Sequence, residues 1–168
     1  MIQSTHDAAQ TCAVKAINRM QTMRNWLIGY YIVEFEQHGK DRAEYGSQLL
    51  KKLEERVNRK GLNVTLFKNA RNFYLLYPQM EDNFVFLNVP LSNCEGIPKS
   101  PTVLDQLKTS GKLIIAKLSF SHIVEIMAVD DSLARYFYEQ ECIKCTWSVR
   151  ELRRQISTNL YVRAGISS

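Results

Sequence analysis

The chain has 168 residues, 45% of them apolar, enough to fold around one substantial core and too few for two large domains. Its 22 Lys and Arg outnumber 17 Asp and Glu for a formal net charge of +5, which permits an anionic partner such as nucleic acid without requiring one. The longest apolar run, WLIGYYIV at residues 26–33, falls short of the roughly 18 residues of a membrane span, and the N-terminal stretch lacks the basic-then-apolar order of a secretory signal, so a soluble, cytoplasmic protein is expected.

From Ala9 onward, apolar residues at Ala13, Ala16, Ile17, Met20, Met23, Leu27, Tyr30 and Tyr31 recur at the spacing of one helix face. They predict a long helix running to about Glu36 and broken at Gly39. Its second half is apolar all round, as in a helix buried on several sides. A second helix is predicted over residues 42–58, with Tyr45, Leu49, Leu50, Leu53 and Val57 inward. Gly61 allows a sharp turn, Asn63 is placed to cap the next helix, and Pro78 stops it. Two helices joined by a short glycine turn have the pattern of a helix-turn-helix, as does any αα-hairpin. Arg56, Arg59, Lys60, Lys68 and Arg71 fall in this stretch with no acidic residue among them, which adds weight to nucleic-acid contact.

Residues 79–112 hold three of the four prolines and little periodicity. They are expected to form an irregular connection, with a short strand around 84–87 and a short helix over 103–108. Helical patterning then returns. Ser119 can cap a helix to about Val129, and Asp131 a second to about Lys144. Ser148 and Glu151 have the spacing of a capping box for a third helix ending near Gly165. Within it Val149, Leu152, Ile156 and Leu160 form one stripe, which turns Arg150, Arg153, Arg154 and Ser157 toward solvent. Residues 63–77 and 148–162 align as a faint repeat: a capping residue, a valine, then cations early in the helix. Cations are better placed at a helix C-terminus, so something other than helix stability is expected to keep them there.

Catalytic and metal signals are missing from the pattern. Cysteines stand at 12, 94, 142 and 145; Cys142 and Cys145 form a C-x-x-C without the second pair, histidine spacing or βαβ context that zinc or redox chemistry needs, and read as small apolar residues near a helix end. His6, His38 and His122 are scattered, and no phosphate-loop, dinucleotide or nucleophile-elbow motif occurs. Neither cofactor nor metal is expected.

Four stretches carry a family resemblance: RNWLIGYYIVEFEQHGKDRAEYG (24–46), KGLNVTLFKNARNFYLLYP (60–78), LSFSHIVEIMAVDD (118–131) and FYEQECIKCTWSVRELRRQI (137–156). In this order they resemble the N-terminal domain of the YhcG family of bacterial and phage-associated proteins. Phe67 departs from a usual leucine, Phe120 from a common tryptophan, and residues 79–112 match poorly. The resemblance implies that a nuclease domain of the PD-(D/E)XK class follows this domain in the family and holds the catalytic carboxylates and lysine. Asp130, Asp131, Glu141 and Lys144 offer no substitute, because their spacing is E-x-x-K in a helical context where metal-assisted hydrolysis needs D/E-x-K on a strand.

The fold expected is mainly α: a helical bundle with two helix-turn-helix-like subdomains, in residues 1–78 and 113–168, joined by an irregular linker at 79–112 and together making one YhcG-type N-terminal domain. The function expected is a non-catalytic nucleic-acid-binding module, DNA being the favoured partner, contacted by Lys68, Arg71, Arg150, Arg153 and Arg154. The alternative is an interaction or oligomerisation module, whose aromatic surface at Trp26, Tyr30, Tyr31, Phe73 and Tyr74 docks another copy or a separately supplied PD-(D/E)XK nuclease domain.

Overall fold

In the computed structural model, residues 1–38, 46–83 and 108–165 are described, and eight α-helices occur among them with no strand. The helices are α1 (Ile2–His38), α2 (Gly46–Val57), α3 (Val64–Leu76), α4 (Gly111–Lys117), α5 (Phe120–Met127), α6 (Ser132–Cys145), α7 (Val149–Ser157) and α8 (Leu160–Arg163), with a 3-10 turn at Pro78–Asn83. The chain is mainly α. Residues 84–87 and most of 103–108 lie outside the described residues, as does Tyr45; Lys108 is described and is not helical. No helix among the described residues is long and apolar enough to cross a membrane.

Capping fixes most of the helix starts. Asn63 Oδ1 accepts from the Leu66 N–H at 2.8 Å, and Asp131 accepts from Leu133 and Ala134 at 3.1 and 3.4 Å, so each satisfies amides with no partner inside its helix. Ser148 Oγ accepts from the Glu151 N–H at 3.2 Å. The reciprocal half of that capping box is not made, because the Glu151 carboxylate turns to Arg154 and Gln155. The third helix expected to run to Gly165 is also broken. Thr158 ends α7 and Asn159, at φ 54°, takes the left-handed conformation that asparagine tolerates before α8 begins.

The first helix departs most from its sequence pattern. It is 37 residues long and starts at Ile2, and the apolar stripe is not one buried face. Met23 and Tyr30 are buried and Leu27 is partly so, whereas Ala13, Ala16, Ile17, Met20 and Tyr31 are exposed. The face that packs is set by Thr22, Trp26, Gly29 and Val33. Its chief neighbour is α3. Gly29 lies where the two backbones come closest: a methyl there would run into the Ala70 carbonyl and crowd Tyr74 Cβ at 3.0 Å.

One buried cluster draws on α1, α3, the 3-10 turn and α4 to α8, from Met23 and Trp26 to Leu152 and Tyr161. Trp26 is fully buried and donates from Nε1 to the Tyr77 carbonyl at 3.0 Å, with Tyr74 edge-on to its ring. Tyr30, Phe73 and Tyr74 are buried with it. Four of the five rings expected on an interaction surface are therefore core, and only Tyr31 is exposed. Ile32, Leu50 and Phe67 form a smaller cluster where α2 meets α1 and α3.

A buried polar group ties α3 to α6. The Tyr77 hydroxyl donates to Glu139 Oε2 at 2.8 Å, and Glu139 is only 4% exposed. Burial pushes both the phenol and the carboxyl up from their ordinary values. Cys142 is in the same core, where burial raises its thiol to about 11, while Cys145 is exposed at the end of α6.

Candidate nucleic-acid interface

The α6–α7 unit places its arginines through a tight connection. Thr146, at φ 50°, turns the chain sharply after Cys145, and Ser148 starts α7 two residues later. His122 of α5 holds this turn. Its Nε2 lies 3.0 Å from the Trp147 carbonyl, which can only accept, so Nε2 carries the hydrogen and Nδ1 accepts the Ser119 N–H at 3.2 Å. Ser119 Oγ completes the contact at 2.8 Å. The imidazole thus caps α5 with one nitrogen and fixes the approach to α7 with the other.

Burial holds the His122 ring below its ordinary pKa, against a smaller opposing effect of the Trp147 carbonyl. The folded chain therefore binds this proton less readily than the unfolded chain. Its contribution to stability is present above about pH 6.5, the unfolded value, and is lost as the pH falls toward the lowered folded value. Subtracting the denaturation midpoints of a His122→Phe variant from those of wild type, pH by pH, should leave a difference that declines below about pH 6.5. A flat difference would mean that His122 does not titrate in that window.

On α7, Leu152 is fully buried and Val149 and Ile156 partly so, which leaves Arg150, Arg153 and Arg154 exposed as the stripe requires. Two of these cations are already held. Arg153 forms a two-pronged pair with Glu125 of α5, at 2.5 and 3.2 Å, and Arg154 pairs with Glu151 at 2.6 and 3.1 Å. Each arginine holds its carboxylate below the usual range. Arg150 makes no ion pair among the described residues.

The earlier helix repeats this division. Lys68 is exposed on α3 and unpaired among the described residues, whereas Arg71 is half-buried and donates to Glu36 of α1 at 2.8 Å. Arg56, Arg59 and Lys60 are exposed at the end of α2 and in the turn before α3. Both α3 and α7 pack against α5, so the fold brings the two basic helices onto one support. The five site residues thus divide: Lys68 and Arg150 point to solvent uncompensated, while Arg71, Arg153 and Arg154 are clamped by Glu36, Glu125 and Glu151. Sequence spacing shows Glu151 and Arg154 at i,i+3. It does not show Glu125 or Glu36, which arrive from 28 and 35 residues away. Among the described residues no three His, Cys, Asp or Glu side chains converge as metal ligands.

Comparison with known proteins agrees with the resemblance carried by the four sequence blocks. Residues 1–163 match the DUF1016 N-terminal domain family, and the chain belongs to it. The Escherichia coli (strain K12) protein named "Putative nuclease YhcG" is 36% identical over 169 residues, covering 96% of this chain and 44% of that relative. The chain therefore spans less than half the length of the relative it matches. No solved structure matches it.

Proposed function

We propose that this member of the DUF1016 N-terminal domain family is a non-catalytic nucleic-acid-binding module that grips duplex DNA through the exposed cations of α3 and α7. The observation that carries this reading is the exposed face of α7, where Arg150, Arg153 and Arg154 stand together on a helix anchored by Leu152. Because α7 ends at Ser157, the helix dipole opposes only Arg150 in the first turn and favours Arg154 in the last, contrary to the expectation that all these cations sit early in the helix. Lys68, at the corresponding place on α3, supports the same reading. The two helix pairs serve as helix-turn-helix units, the six-residue turn before α3 being the looser and the three-residue turn before α7 the tighter. The relative's name speaks of a nuclease. In this reading the module holds DNA for a PD-(D/E)XK nuclease domain.

The carboxylate clamps refine the test. Contacts to phosphate release condensed counterions, so log affinity should fall with log salt by about 0.9 per neutralised phosphate. Arg150→Ala and Lys68→Ala should each flatten that slope by about 0.9, because both cations face solvent ready for phosphate. Glu125→Gln and Glu151→Gln should tighten binding by freeing Arg153 and Arg154. Duplex binding that is undetectable at low salt, or a slope indifferent to all four changes, would remove the reading.

A further inference from the structure

Every residue from Met1 to Gln21 is exposed, and burial in α1 begins at Thr22. About 30 Å of helix therefore stands clear of the body. Most helical stability in proteins comes from packing of one face rather than from propensity, so a surface that covers this stretch would stabilise it. Ile2, His6, Ala9, Ala13, Ala16 and Met20 follow one another at alternating steps of four and three, which makes one continuous seam. Ile17 widens the seam, and Ser4, Thr11, Lys15 and Asn18 occupy the opposite face. Ile2, Ile17 and Met20 are 89%, 56% and 54% exposed. The seam lies well round the helix from Trp26, Gly29 and Val33, the side that packs on the body, so the chain's own core does not reach it.

We propose that this arm pairs with the same arm of a second copy of the chain, antiparallel, about a two-fold axis near residue 11. Under that axis the seam pairs with itself: Ile2 lies opposite Met20, His6 opposite Ala16, and Ala9 opposite Ala13, each contact made twice as a two-fold interface requires. The small residues fall at the centre, where the helices approach most closely, and the large ones at the ends. Gln3, Thr5, Gln10 and Cys12 flank the seam without charge, and the one flanking cation, Arg19, comes nearest the partner's Thr5, so no row of like charges opposes self-pairing. Burial in α1 begins at Thr22, so the paired stretch stops where the body starts. A parallel pair would place two bodies at the same end, each with 20 Lys and Arg against 16 Asp and Glu in residues 22–168; the antiparallel pair keeps these like charges apart. A seam this short and rich in alanine falls below the ~800 Å² per partner of a standard interface. The dimer is accordingly weak, with a Kd on the order of 10 µM or above.

Sedimentation equilibrium from about 1 µM to about 500 µM tests it. The mass should rise from one chain toward two. Ala13→Glu should hold the chain monomeric, whereas Lys15→Glu, on the opposite face, should leave the rise unchanged; neither touches the folded core. In a background lacking Cys12, Cys94 and Cys145, a mixture of Ile2→Cys and Met20→Cys chains treated with a mild oxidant should form a disulfide between the two variants, and Ile2→Cys alone should not cross-link. A single-chain mass throughout, an equal response to Ala13→Glu and Lys15→Glu, or self-linkage of Ile2→Cys would each overturn the proposal.

Discussion

Changing Gly29 to alanine should lower the thermal midpoint by roughly 6–12 °C, although it adds one methyl and improves helix propensity. That methyl has nowhere to go. It meets the Ala70 carbonyl, a backbone group fixed by α3, and Tyr74 Cβ behind it. The two helices must move apart along their whole contact, which is the principal contact of α1. Overpacking of this kind costs about 3 kcal/mol when backbone cannot yield, and a domain of this size shifts by about 2–4 °C for each kcal/mol. Differential scanning calorimetry decides the point. A midpoint equal to or above that of wild type would show that α1 and α3 are not in close contact at this position. An alanine at Gly61, at φ 87° in open space, should be much milder, since only backbone strain opposes it.

Replacing Trp26 by alanine should cost about 3–5 kcal/mol, the range for emptying a large aromatic site. The side chain is fully buried against Tyr30 and Tyr74, and its indole N–H reaches the Tyr77 carbonyl at the end of α3. Trp26→Phe separates the two contributions. It keeps most of the ring volume and removes the hydrogen bond, so its cost should be nearer 1–2 kcal/mol. Urea denaturation gives both values. If the alanine and phenylalanine variants lost equal stability, the hydrogen bond rather than the packing would account for the effect.

Local chemistry was legible in the sequence, and tertiary pairing was not. Asn63, Asp131 and Ser148 are caps because their short side chains must meet amides within three residues, a rule written entirely in neighbours. Pro78 stops α3 for the same kind of reason. The seven residues of α4 were hidden: GKLIIAK is too short to show a helical period, and only the Ser110 cap hints at it. The break at Asn159 was missed because a polar Ser-Thr-Asn run inside an amphipathic stripe looks like the exposed face of a continuing helix. The stripe from Ala13 to Tyr31 announces a long helix but not its start at Ile2, and periodicity says only that residues share a side and not what covers that side. The basic face of α7 was equally plain, yet its electrostatics were not, since Glu125 comes to Arg153 from another helix.

The bare first half of α1 also acts as a strut. An α-helix resists bending over a few turns, so whatever holds its tip is kept about 30 Å from the body. In a pair joined along that length, the near edges of two cationic bodies stand about nine base pairs of duplex apart at 3.4 Å per step. On the proposed reading of the cationic faces, a duplex long enough to span the strut and gripped by one body would meet the second at a high effective concentration. The arm would then turn a weak, sequence-indifferent grip into a preference for duplex of sufficient length.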